Sequence, residues 1–180
     1  LPFNPLTFQD IDATKINIGD GAFPRGPNGS STSDQVHNIG EVWSIALWEI
    51  RARMINRLGW AVGNRRVLQF TTDGMKLAPL NPTPLSERDA MIAAGLASGT
   101  PADVADMWAG FALRGFGASA SIQKVGGAST GGLGTVRVTE AFDLPNLCQS
   151  PNLSLSDTIG NSNGVADPGE TVALTIPLTN

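Results

Sequence analysis

The chain has 180 residues, a net charge of −4 and 41% apolar residues against only 16% charged ones. That is enough apolar material for one domain with a core, or one domain and a piece of another, and it leaves no basic footprint for nucleic acid. The lone cysteine, Cys148, excludes an internal disulfide framework, and no apolar run reaches the roughly 18 residues of a membrane-spanning helix. The chain begins at Leu1 with neither a methionine nor a signal-like segment, which reads as a piece of a longer polypeptide.

Glycine and proline are abundant and gather toward the two ends. Residues 1–35 show little periodicity. Pro2, Pro5, Pro24 and Pro27 and the polar run from Gly26 to Asp34 predict an irregular, turn-rich arm, with Phe3, Phe8 and Phe23 available for docking. Ser33 or Asp34 is suited to cap the element that follows.

That element is the longest amphipathic helix, over 37–58. Trp43, Leu47, Ile50, Met54 and Leu58 recur at steps of four, three, four and four, which places them on one helical face. His37, the only histidine, stands at its mouth. Gly59-Trp60 ends it, glycine supplying the left-handed residue. From Asn64 to Leu77 a short helix fits better than a strand, with Asp73-Gly74 as a break or tight turn. Pro79 to Pro84 is a connector. Thr83-Pro84 and Thr100-Pro101 each open a helix with a threonine cap and a proline in the first turn, and Asp103 completes a capping box.

The first of these helices gives Leu85, Ala90, Ile92 and Leu96 to the core and stops at Gly99. The second carries Val104, Met107, Trp108, Phe111 and Leu113 and ends at Arg114-Gly115. Residues 115–134, rich in Gly, Ala and Ser, read as a mobile linker. Residues 136–142 alternate as a strand or extended arm. After Asn152, Leu153-Ser-Leu155 and 172–178 read as strands of a second, all-β unit, too little of it to fold alone. The fold class is therefore mainly α, with an irregular N-terminal arm and the start of a β-sandwich.

Several motifs together resemble one family. Asn4-Pro-Leu-Thr-Phe8, His37-Asn-Ile-Gly-Glu-Val-Trp43 with Leu47-Trp48-Glu49, Asp73-Gly-Met-Lys-Leu77, Asn81-Pro-Thr83, Arg88-Asp-Ala90, residues 108–115 and Val138-Thr-Glu-Ala-Phe142 follow in the order found in the C-terminal half of the fungalysin metallopeptidases, peptidase family M36. The resemblance implies a secreted, thermolysin-like zinc endopeptidase, with residues 1–145 as its C-terminal helical lobe. Residues 146–180 would be a linker and the first strands of an Ig-like β-sandwich.

The family's zinc site uses a His-Glu-x-x-His helix and a further glutamate. This chain has neither that motif nor a second histidine, so the zinc ligands belong to an N-terminal lobe of the same protein. That lobe and a protein or peptide substrate are the implied partners, with no nucleic acid and no membrane. Taken alone, the chain would be inactive.

His37 is the one catalytic residue the resemblance carries over. In the relatives a histidine here faces the metal and donates a hydrogen bond to the oxygen on which negative charge develops. From residue pattern alone, a surface or capping histidine with no chemistry is the favoured reading. Asp34 precedes His37 by three residues, closer than the ring-orienting aspartate of the thermolysin pattern, and a cap suits it better. Arg25 is not assigned the family's substrate-binding arginine role.

Glu41 and Glu49 read as structural or solvated. Trp43, Trp48 and Trp108 read as core or interlobe packing, and Cys148 as a linker residue. Asn161, Asn163, Asp167 and Glu170 around Gly164 offer oxygen ligands of the kind calcium takes, although a plain turn explains the same residues. The alternative to a peptidase lobe is a non-catalytic helical binding or structural module derived from one.

Overall fold

The fold is described from a computed structural model. It describes residues 5–15, 33–34, 36–125 and 136–145, together with 148–149, 154–156, 160, 162, 169, 171, 173–175 and 178–179. The chain divides into two compact units, Leu1–Leu144 and Pro145–Asn180.

The first unit is mainly helical. A short 3-10 helix (Phe8–Ile11) precedes α1 (Val36–Leu58), α2 (Trp60–Leu77), α3 (Pro84–Ser98) and α4 (Pro101–Leu113). The helices end where local chemistry ends them. Gly59, at φ 78°, breaks α1 and lets α2 start at the next residue. Thr83 and Thr100 accept the N–H of Ser86 and Asp103, closing capping boxes at the starts of α3 and α4. Trp60 thus opens a second helix rather than closing the first.

Asp73-Gly74 is not a break. Both lie inside α2, and Gly74 is buried against α3: a Cβ there would stand 2.9 Å from the Met91 Cα. Glycine is needed for the helices' approach, and the sequence reads it as punctuation. Gly110 plays the same part between α4 and α1, where a Cβ would lie 2.8 Å from the backbone nitrogen of Ile50.

The buried stripe of α1 is Asn38, Val42, Ala46, Ile50 and Met54. Trp43 and Leu47 flank it, half-buried. The true face is therefore rotated from the one the large apolar residues suggest. Trp43 stacks on Phe111 with ring centroids 5.5 Å apart and meets Phe116 edge-on at 6.0 Å, while Phe8 lies 4.5 Å from Phe116. These rings join Leu6, Ile11, Val136 and Val138 in one core. The arm docks through Phe8 as its aromatic content predicts; Phe3, Phe23 and Arg25 lie outside the described residues.

Residues 115–125 are not a linker. Phe116 is fully buried and bridges Ala141, and β1 (Ser121–Lys124) pairs antiparallel with β2 (Val136–Thr139), Ser121 opposite Thr139. The small residues there let the Phe116 and Gly117 carbonyls accept hydrogen bonds from buried Arg88, at 3.0 and 2.5 Å. Residues 126–135 of the expected linker lie outside the described residues. Leu96, expected in the core, is exposed.

In the second unit, β3 (Cys148–Gln149) pairs antiparallel with β6 (Leu178–Thr179), and β4 (Ser154–Ser156) with β5 (Ala173–Thr175). Cys148 is therefore a strand residue rather than part of a linker. Asn161, Asn163, Gly164, Asp167 and Glu170 lie outside the described residues.

Candidate functional site

His37 is the second residue of α1 and is exposed. Its placement depends on how the chain is held just before the helix. Ser33 is buried and its hydroxyl donates to the Lys15 carbonyl. The Asp34 carboxylate accepts the N–H of Val136 at 3.3 Å. Both residues expected to cap α1 thus tie its start to the arm and to β2. At the same residue, the Val136 carbonyl accepts the N–H of Ala13 at 2.9 Å.

Asp12 completes this clamp. Its carboxylate is buried and accepts from the Val138 N–H at 2.9 Å, the Arg137 Nε at 3.2 Å and both the N–H and the hydroxyl of Thr14. Burial pushes this acid up, but the Thr14, Val138 and Arg137 bonds outweigh it and hold its pKa at about 2. It is a charged brace at neutral pH.

The far end of α1 has a matching brace. Asp103, fully buried, accepts from Arg57 at 2.5 Å, Arg66 at 2.6 Å and the Thr100 N–H at 2.8 Å. Burial raises its pKa, and the bonds from Thr100, Arg57 and Arg66 overcome that and bring it to about 2. Asp103, together with Asp106 2.7 Å from the Arg57 Nε, in turn raises the pKa of Arg57. One side chain therefore joins α1, α2 and α4.

Other charged groups are structural in the same sense. Glu49 accepts the Nε of buried Arg114 at 3.0 Å, and Arg114 also donates to the Leu6 carbonyl at 3.2 Å. Glu41 lies half-buried on α1. Burial raises Glu87, in the first turn of α3.

Trp43 is a core ring, and Trp108 is half-buried with Arg88 5.0 Å above it. Of the two packing roles expected of it, core or interlobe, Trp48 does not take the core one. It is 62% exposed within this chain, with the Arg51 guanidinium 4.4 Å from its ring. Asn38, beside His37, was not singled out by the sequence pattern. It is buried, and its Nδ2 has no hydrogen-bond partner among the described residues.

Among the described residues, no group of three or more His, Cys, Asp or Glu side chains could hold a metal ion. The one histidine is exposed, and the buried carboxylates of Asp10, Asp12 and Asp103 are occupied by Lys15, arginines, threonine hydroxyls and backbone N–H groups. The donor set present does not make a zinc site. Among the same residues, no helix is long and apolar enough to cross a membrane.

The sequence profile of the fungalysin metallopeptidases (M36) matches residues 1–120. The chain belongs to that family. It is 33% identical over 135 residues to an extracellular metalloproteinase of Pyrenophora tritici-repentis, covering 67% of this chain and 19% of that protein. An extracellular metalloproteinase of Leptosphaeria maculans is 32% identical over 125 residues, covering 62% of this chain and 18% of its own length. One from Aspergillus niger is 32% identical over 104 residues, with 51% and 16% covered. The chain thus spans about a fifth or less of the length of these relatives. The family match takes in the arm, all four helices and His37.

Proposed function

We propose that this chain is the C-terminal helical lobe of a secreted zinc endopeptidase. It forms one wall of the substrate cleft and supplies His37 as the donor that stabilises the oxyanion. The observation that carries this reading is an exposed histidine at the mouth of a helix braced at both ends, inside the span matched by the family. A fixed N–H donor aimed at an oxygen that gains negative charge lowers the barrier, because it needs no reorganisation when the charge appears. Asp12, Asp34 and Ser33 act as positioning residues by fixing where α1 starts.

The zinc ligands and the general base belong to another part of the polypeptide, so the chain alone does not hydrolyse peptides. Residues 1–145 are the lobe, and residues 146–180 lead into an Ig-like β-sandwich. The relatives' description as extracellular proteins supports secretion.

The test is the complete protein, assayed for zinc content and peptide turnover with and without His37→Ala. The expected result is retained zinc with turnover reduced about 100- to 1,000-fold, the loss typical of one oxyanion donor. Because that bond forms only in the transition state, kcat and kcat/KM should fall together. A variant as active as its parent would make His37 a surface residue.

The alternative reading is a non-catalytic helical binding or structural module derived from such a peptidase. A His-Glu-x-x-His segment upstream in the same polypeptide supports the peptidase; its absence there supports the module.

A further inference from the structure

Helix α1 carries two opposite stripes at four-residue intervals. Asn38, Val42, Ala46, Ile50 and Met54 are buried. Val36, Gly40, Ser44, Trp48 and Ala52, on the other side, are all exposed. A solvent-facing stripe ordinarily carries charged or strongly polar side chains, and this one has no charged residue. The charges of α1 (Glu41, Glu49, Arg51, Arg53 and Arg57) lie off it.

Gly40 is the informative position. Glycine inside a helix is about 1 kcal/mol worse than alanine, so it needs a reason. The other helical glycines, Gly63, Gly74, Gly95 and Gly110, all have one: a Cβ at each would come within 3 Å of a neighbouring element. At Gly40 a Cβ would meet nothing within 4 Å among the described residues. It has the signature of close helix packing without the neighbour. Ser44, one turn on, is also small, and its hydroxyl is folded back onto the Gly40 carbonyl at 2.8 Å.

Trp48, the large residue of the stripe, is held ready. Arg51 lies 4.4 Å from its ring and 4.7 Å from that of Trp60, and the Arg51 Nε donates to Asn64 at 2.8 Å. Fixing an aromatic anchor in advance reduces the entropy lost when a partner covers it.

We propose that the Val36–Gly40–Ser44–Trp48–Ala52 stripe is the docking face for the metal-bearing part of the same polypeptide. An element of that part lies with its backbone against Gly40 and Ser44 and is closed off by Trp48. The occupant follows from two facts. This chain spans only 19% of a relative's length, so most of such a protein lies outside it. The stripe also begins beside His37, so whatever faces His37 also meets Gly40. The proposal rests on the reading of the chain as a peptidase lobe and adds the surface by which that lobe is joined.

The test is alkylation of Ser44→Cys, read at the peptide level to separate it from Cys148, in the complete polypeptide and in this 180-residue chain. Docking predicts rapid modification in the 180-residue chain and modification slowed about tenfold or more in the complete protein, where it must wait for local opening. Equal rates in the two overturn the proposal. So does slow modification in the 180-residue chain alone, which would mean that the chain's own residues or a second copy cover the stripe. Where the lobe docks as proposed, Gly40→Leu lowers the melting temperature of the complete protein and leaves that of the 180-residue chain unchanged or higher. A failed Ser44→Cys result with a turnover loss in His37→Ala removes the docking face and keeps the catalytic reading; the reverse pair does the opposite.

Discussion

Replacing Asp103 by asparagine tests the electrostatic brace of the helical lobe, because it removes the charge and almost nothing of the shape. The wild-type carboxylate is fully buried and satisfied by Arg57, Arg66 and Thr100, with its pKa lowered from 3.8 to about 2. That difference corresponds to roughly 2–3 kcal/mol of stability at neutral pH. Since the folded-state value is the lower one, this stability is fully present above the unfolded value of 3.8 and is lost as the pH falls through about 2. Asp103→Asn should therefore be less stable by roughly 2–3 kcal/mol at pH 7 but by under about 1 kcal/mol at pH 2.5. At roughly 2–4 °C per kcal/mol, the neutral-pH melting temperature should drop about 5–10 °C. Urea unfolding followed by far-UV circular dichroism at both pH values measures this. A destabilisation as large at pH 2.5 as at pH 7 would refute the reasoning, because the lost contribution would then be packing rather than charge.

Asp12 has the same directional behaviour, so the wild type should lose stability on acidification through two carboxylates, and Asp12→Asn should flatten the acid limb of the denaturation profile. Gly74→Ala should destabilise by about 1–3 kcal/mol through overpacking, because its Cβ would meet the Met91 backbone; an unchanged melting temperature would mean that α2 and α3 can separate freely. Trp43→Ala should cost about 3–5 kcal/mol and remove near-ultraviolet circular dichroism from the Phe111–Phe116 cluster. Asn38→Leu should stabilise by about 1 kcal/mol, since it removes a buried donor with no partner among the described residues; a fall in melting temperature would disprove that.

The parts of the fold written in local chemistry are legible in the sequence. Thr83-Pro84 and Thr100-Pro101 start helices because a hydroxyl cap and a proline act within one turn, and Gly59 stops α1 for a reason carried by its own φ. The parts decided by distant neighbours are not. Gly74 looks like a breaker until Met91 is opposite it, and 115–125 looks like a linker until Arg88 is found bonding its carbonyls. The buried face of α1 is not legible for a related reason: its centre line includes Asn38 and Ala46, which no hydrophobicity pattern selects. At the candidate site, His37 stands out as the sole histidine. The clamp behind it does not, because Asp12 and Asp34 act on residues more than a hundred positions away.

The distribution of these braces bears on how the lobe would work. At its mouth, α1 is tied through Ser33 and Asp34 to the arm and β2. At its middle, Gly110 brings α4 against Ile50, and at its end Arg57 joins Asp103 and Asp106. All three attachments use the buried side or the termini. A helix held in this way cannot easily rotate or slide, so His37 keeps a fixed bearing relative to the core, as a preorganised donor must. The same arrangement leaves the Val36–Ala52 stripe uncommitted. Rigid attachment behind and a bare, uncharged face in front would let a second lobe dock against α1 and find the histidine already in place.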